Sequence, residues 1–167
     1  MATRELFVRT AAVVLTLVAV AGAAQRAEAG NNQAEPSQAQ EPGIEGVWTT
    51  VVTIRDCASQ TPFFGFTAMD IYLRGGGMLA ESSSPTPVRA TGMGAWQHVR
   101  ARVFTSSFYF YTYDPTGMPV GMLKVSSRIS LDATGNAFTS SDTSVATDLA
   151  GNVLEQGCST REGVRLE

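Results

Sequence analysis

Three times in its C-terminal half the chain repeats one tight turn: Asp114-Pro-Thr-Gly117, Asp132-Ala-Thr-Gly135-Asn136 and Asp148-Leu-Ala-Gly151-Asn152. An Asp in the first position accepts backbone N–H bonds from the turn, and a Gly in the fourth takes positive φ without strain. Each interval between these turns holds one strand and little else. Strand, turn, strand in that order is a β-meander. It predicts an all-β antiparallel sheet in which neighbours in sequence are neighbours in space.

The remaining segments agree. Residues 45–55 carry Val47, Trp48, Val51, Val52 and Ile54 among threonines, all good strand formers. Residues 66–73 and 78–82 flank the reversal Arg74-Gly-Gly-Gly77, and 83–91, with Pro85 and Pro87, cannot continue a ladder and reads as an exposed loop. Strands over 94–102, 103–113, 121–131, 136–146 and 152–160 bring the count to about eight. Residues 163–167 either extend the last strand or form a short tail. Eight strands suit an up-and-down barrel narrow enough to be filled by side chains or to hold one small ligand. A flattened sandwich is the competing arrangement.

Ahead of the sheet, Arg4 and Arg9 precede a nearly continuous apolar run from Ala11 to Ala24, and Ala21-Gly-Ala23 and Ala27-Glu-Ala29 supply small-residue sites. Charged, apolar, small is the order of a secretory signal. The run is shorter than the roughly 20 residues that span a bilayer. Residues 1–29 are therefore expected to be a cleaved signal peptide and 30–43, rich in Gln, Pro, Ala and Glu, a disordered leader. Residues 44–167 form a single barrel domain, secreted or periplasmic. The formal charge is −3 and no basic patch exists, which excludes nucleic acid as a partner. The polar segment Thr139-Ser-Ser-Asp-Thr-Ser144 argues against a barrel inserted in an outer membrane, so no stable membrane insertion is expected after cleavage.

In an exported chain two cysteines, Cys57 and Cys158, default to one disulfide, and up-and-down closure places them on adjoining first and last strands. His98 is the sole histidine, so no metal set is complete, and no cofactor or nucleophile motif is present.

Gly46-Val-Trp48 opens the first strand and Gly94-Ala-Trp96 a middle one. A first strand beginning Gly-x-Trp, with an arginine near the chain's end, resembles the calycin group of lipocalin-like and avidin-like barrels. That resemblance implies that Trp48 plugs one end and that Arg165, or alternatively Arg161, lies across its indole. It also implies a small apolar ligand.

Candidate ligand contacts come from three places. In Phe108-Tyr-Phe-Tyr-Thr-Tyr113 the alternation separates Phe108 and Phe110 from the tyrosines, as core or as cavity wall. Trp96, His98 and Arg100 share one strand face, which is either a solvated surface or an inward polar triplet. Phe63 and Phe64 would stand on the rim that collects the longer loops. The binding candidates are thus Trp96, His98, Phe108, Phe110, Phe63 and Phe64, with no catalytic residue assigned. Three readings stay open. The first is a barrel that binds a small apolar molecule, and the second is a filled barrel acting as an interaction module. The third is an isomerase- or cyclase-type enzyme, which needs His98 or Asp70 inside a cavity beside an aromatic wall. A void of several hundred Å³ lined by Phe and Met favours the first, and interdigitated side chains favour the second.

Overall fold

The computed structural model describes residues 43–83 and 89–167. The expected signal peptide, the leader up to residue 42 and the proline pair of the 83–91 loop lie outside the described residues. Eight strands follow in order: β1 (Gly46–Arg55), β2 (Pro62–Tyr72), β3 (Gly77–Ser82), β4 (Gly92–Arg100), β5 (Val103–Tyr113), β6 (Pro119–Leu131), β7 (Ala137–Asp148) and β8 (Val153–Arg165). Each pairs antiparallel with the next, and β8 returns to β1, so the sheet is one closed barrel rather than a sandwich. No helix occurs among the described residues.

The strand boundaries differ from the sequence reading in two informative places. β2 begins at Pro62, because β1 stays paired to its last residue (Ile54 with Phe64, Arg55 with Pro62). Proline is tolerated as the first residue of a strand, where a ladder donor is least missed. β8 runs through Arg165, which settles residues 163–165 as strand rather than tail.

The recurring turns work through their aspartates. Asp114 Oδ1 accepts from Thr116 N (2.8 Å) and Met118 N (3.0 Å). Asp148 Oδ1 accepts from Ala150 N (2.9 Å) and Asn152 N (2.8 Å). The Thr134 hydroxyl, with the N–H groups of Ala137 and Asn136, holds the Asp132 carboxyl down to about 2. Gly117, Gly135 and Gly151 take φ of 84°, 76° and 88°, the left-handed region that a side chain would resist.

The β1–β8 seam is fastened at both ends. Near the β1–β2 loop, Cys57 and Cys158 form the disulfide, with Cα atoms 5.2 Å apart. At the other end Val47 N donates to Glu167 O (3.2 Å) and Leu166 N donates to Val47 O (2.8 Å). The cross-link spans 101 residues of sequence, so it restrains a large unfolded loop. Replacing both cysteines by serine is expected to lower unfolding free energy by about 2–4 kcal/mol in a urea titration. A change below about 0.5 kcal/mol would mean that the ladder alone holds the seam.

Connections alternate between the two ends. The turns after β2, β4 and β6 lie with the start of β1, and the loops after β1, β3, β5 and β7 lie at the opposite mouth. The turn end is plugged by Ile44, Trp48, Tyr72, Met78, Phe104, Ile129, Leu131 and Phe138, all buried.

Candidate functional site

Above that plug the interior changes character twice. First comes a polar belt, written by the register itself: Ser106 pairs with Ser127, Ser127 with Asp142 and Asp142 with Ser159, all on inward positions. Asp70 joins from β2, where it pairs with Trp48 on one side and Ala80 on the other. Arg161 enters from β8. Its side chain and that of Asp70 are almost wholly removed from solvent.

Arg161 is the hub of this belt. Its Nη1 donates to Asp70 Oδ2 at 2.6 Å, its Nε to Asp142 Oδ2 at 3.1 Å and its Nη2 to Ser127 Oγ at 2.6 Å. Asp142 also accepts from the hydroxyls of Ser140 (2.9 Å) and Ser159 (3.4 Å). The Arg161 guanidinium carbon stands 5.8 Å from the Phe108 ring centroid. Burial opposes the charge on Arg161, but the negative charges of Asp70 and Asp142 outweigh it and keep the guanidinium protonated. Burial also pushes the Asp70 carboxyl above the ordinary carboxylate range, against the pull of Arg161.

The second change is a cavity of about 90 Å³ between belt and mouth. Its walls are apolar, with Val52, Phe66, Phe108, Phe110, Leu123 and Val125 prominent, and Asp70, Asp142 and Arg161 reach into it from below. Arg89 and Glu81 stand at the mouth. Arg89 bridges to Thr112 on β5, and its guanidinium carbon lies 4.6 Å from the Phe110 centroid. The volume falls below the several hundred Å³ expected of a binding barrel, and side chains fill most of the interior. It is also below the roughly 150 Å³ that admits benzene in an engineered core. A ligand of any length would keep one small group inside and the rest in the mouth.

Phe108 and Phe110 line this cavity, while Tyr109 and Tyr111 face outward and are exposed. Phe64 stands at the mouth with its ring 5.9 Å from that of Phe66, and Phe63 points away and is exposed. Trp96 and His98 are at the opposite, plugged end. Trp96 packs on Phe104 with ring centroids 5.9 Å apart and donates from Nε1 to Leu73 O at 2.9 Å. His98 is exposed against Phe104, hydrogen-bonded to Ala101 O. These two residues are therefore not brought to the cavity. The reason lies in β4, whose inner positions facing the cavity are Gly92 and Gly94. A Cβ at Gly94 would collide with the β5 backbone at Ser107 and Phe108, and one at Gly92 would meet the Phe108 ring, so the phenylalanine fills the space a β4 side chain would have taken.

The plugged end holds the other two singled-out residues. Trp48 is fully buried, donates from Nε1 to Ile44 O at 2.9 Å and meets Phe138 edge-on with centroids 5.0 Å apart. Arg165, not Arg161, lies across it, 4.3 Å from the ring centroid. Arg165 also donates to Gly135 O (2.8 Å), Gly43 O (2.7 Å) and Glu45 O, tying the β6–β7 turn to the start of the domain.

Sequence reasoning undervalued the belt. Asp142 and Ser127 were not singled out, Asp70 was noted only for an enzyme, and Arg161 only as a partner for Trp48. A parity signal was nevertheless present. Arg161 lies four residues before Arg165, so an inward Arg165 puts Arg161 inside as well, and a buried arginine requires inward carboxylates. Comparison of the chain with protein-family models and with curated proteins gives no match.

Proposed function

We propose that the domain is an exported, lipocalin-like barrel that binds one small, largely apolar molecule at its open mouth. The observation that carries this reading is the cavity of about 90 Å³, walled by Phe66, Phe108, Phe110 and aliphatic side chains over a compact charged floor. Apolar walls with a few convergent polar groups are the usual composition of a small-molecule site. Kinship with the calycins is supported by the Trp48–Arg165 stack at the plugged end. Export is supported by the signal-like order of residues 1–29 and by the disulfide, which persists in oxidising compartments. Ser130, Thr139, Ser141 and Thr143 are exposed on the outer faces of β6 and β7. An apolar belt is thus interrupted there, which favours a barrel in water over one in a bilayer. Asp70 does reach the cavity, as an enzyme would require, but it is bonded to Arg161, and His98 lies elsewhere. Binding is the better-supported reading.

Ligand-detected NMR with 1-hexanol tests it. Saturation transfer to the alkyl chain is expected for the native barrel. It is expected to vanish in Ala68→Phe, which places a ring in the cavity that Ala68 lines. Absence of transfer from 1-hexanol and from its amine and acid counterparts alike, in a folded native barrel, would overturn the reading.

A further inference from the structure

We propose that the buried end of the ligand is a protonated amine, held by Asp70. This rests on the binding reading above and specifies its chemistry.

The two carboxylates under the cavity are not equivalent. Asp142 is fully engaged, since it accepts from Arg161, Ser140 and Ser159. Asp70 accepts one bond, through Oδ2 from Arg161 Nη1, and its Oδ1 has no partner among the described residues. An ionised carboxylate can accept about four hydrogen bonds, so most of the capacity of Asp70 is unused at a cavity wall. An ammonium brings three donors, one of which that free oxygen can take.

Charge points the same way. One guanidinium faces two carboxylates, so the floor carries a net negative charge when both are ionised. At the mouth Arg89 feels both Glu81 and Asp70, and over the whole cavity lining three carboxylates still face two guanidinia. A carboxylate ligand would add a third negative charge beside Asp70 and Asp142. It would also find Nε, Nη1 and Nη2 of Arg161 already donating within the protein. A neutral alcohol leaves the floor unbalanced. An ammonium neutralises it and removes the cost that burial sets on ionised Asp70. The small enclosed volume suits a primary amine with its alkyl chain leading to the mouth.

The test compares hexylamine, 1-hexanol and hexanoate by isothermal titration and ligand-detected NMR at neutral pH on the full domain. Hexylamine is expected to bind the native protein about tenfold or more tightly than 1-hexanol, the scale of one charge-assisted hydrogen bond, and hexanoate most weakly. In Asp70→Asn the ratio of hexylamine to 1-hexanol affinity is expected to collapse to within about twofold. If that variant does not fold, the order among the three compounds on native protein decides alone. Binding of 1-hexanol with equal or weaker binding of hexylamine would overturn the amine assignment and leave the binding reading standing. Failure of all three compounds to bind would overturn both.

Discussion

Replacing Arg161 by Met is expected to cost the barrel about 3–5 kcal/mol, and adding Asp70→Asn and Asp142→Asn to the same chain should restore most of it. The guanidinium bonds both carboxylates and Ser127 inside a barrel interior that excludes water. Without it two buried carboxylates face each other across a few ångströms of low-dielectric space, which is far costlier than an empty apolar site. The two can escape only by taking up protons. In Arg161→Met their folded pKa values therefore lie above the unfolded ones. The stability linked to them is present at low pH and lost as pH rises through those raised values. Urea titrations across the acid-to-neutral range should accordingly show the deficit growing with pH in the single variant and staying flat in the triple one. An equal, pH-independent deficit in both would mean that the lost arginine stem, rather than the unpaired charge, is responsible.

Trp48→Ala is expected to cost a similar 3–5 kcal/mol, the range for deleting a large buried aromatic. The indole is fully buried, against Phe138 and the Arg165 guanidinium and with its Nε1 bonded to Ile44 O. Arg165→Ala should cost less, about 1–2 kcal/mol, since its cation–π contact and backbone bonds are partly exposed. The pair should be non-additive, with a coupling of about 0.5 kcal/mol or more in a double-mutant cycle, because the two groups touch. Strict additivity would separate the plug from its cover and remove the residue-level likeness to the calycin barrels.

What could be read in advance follows from how local each signal is. The Asp-x-x-Gly turns are self-contained, because carboxylate and glycine act on the backbone within five residues, and they delivered the meander directly. Closure needed one long-range clue, the two cysteines, and the Trp48–Arg165 stack needed likeness to known barrels. The belt was harder. Along Thr139-Ser-Ser-Asp-Thr-Ser144 both faces of β7 are polar, so alternation carries no information about which side is inside. Trp96 and His98 were drawn toward the cavity by their chemistry. Strand β4 shifts register between His98 and Arg100 and turns through Ala101 at φ 42°, which leaves both side chains at the plugged end. A period of two assigns a face; it does not assign a height along the barrel axis.

The doubly fastened seam constrains traffic as well as shape. In an open sheet an outer strand can lift away and let a guest slip in sideways. Here β1 and β8 hold each other from Arg55–Cys158 to Trp48–Arg165, with a covalent link at one end and a stacked cation at the other. Among the described residues every strand is paired on both sides, most thinly between β3 and β4, and the plugged end is filled by buried side chains. A guest that comes down the axis passes Arg89 and Phe110. The traits that select a guest are thus read in sequence, at the mouth and then at the floor.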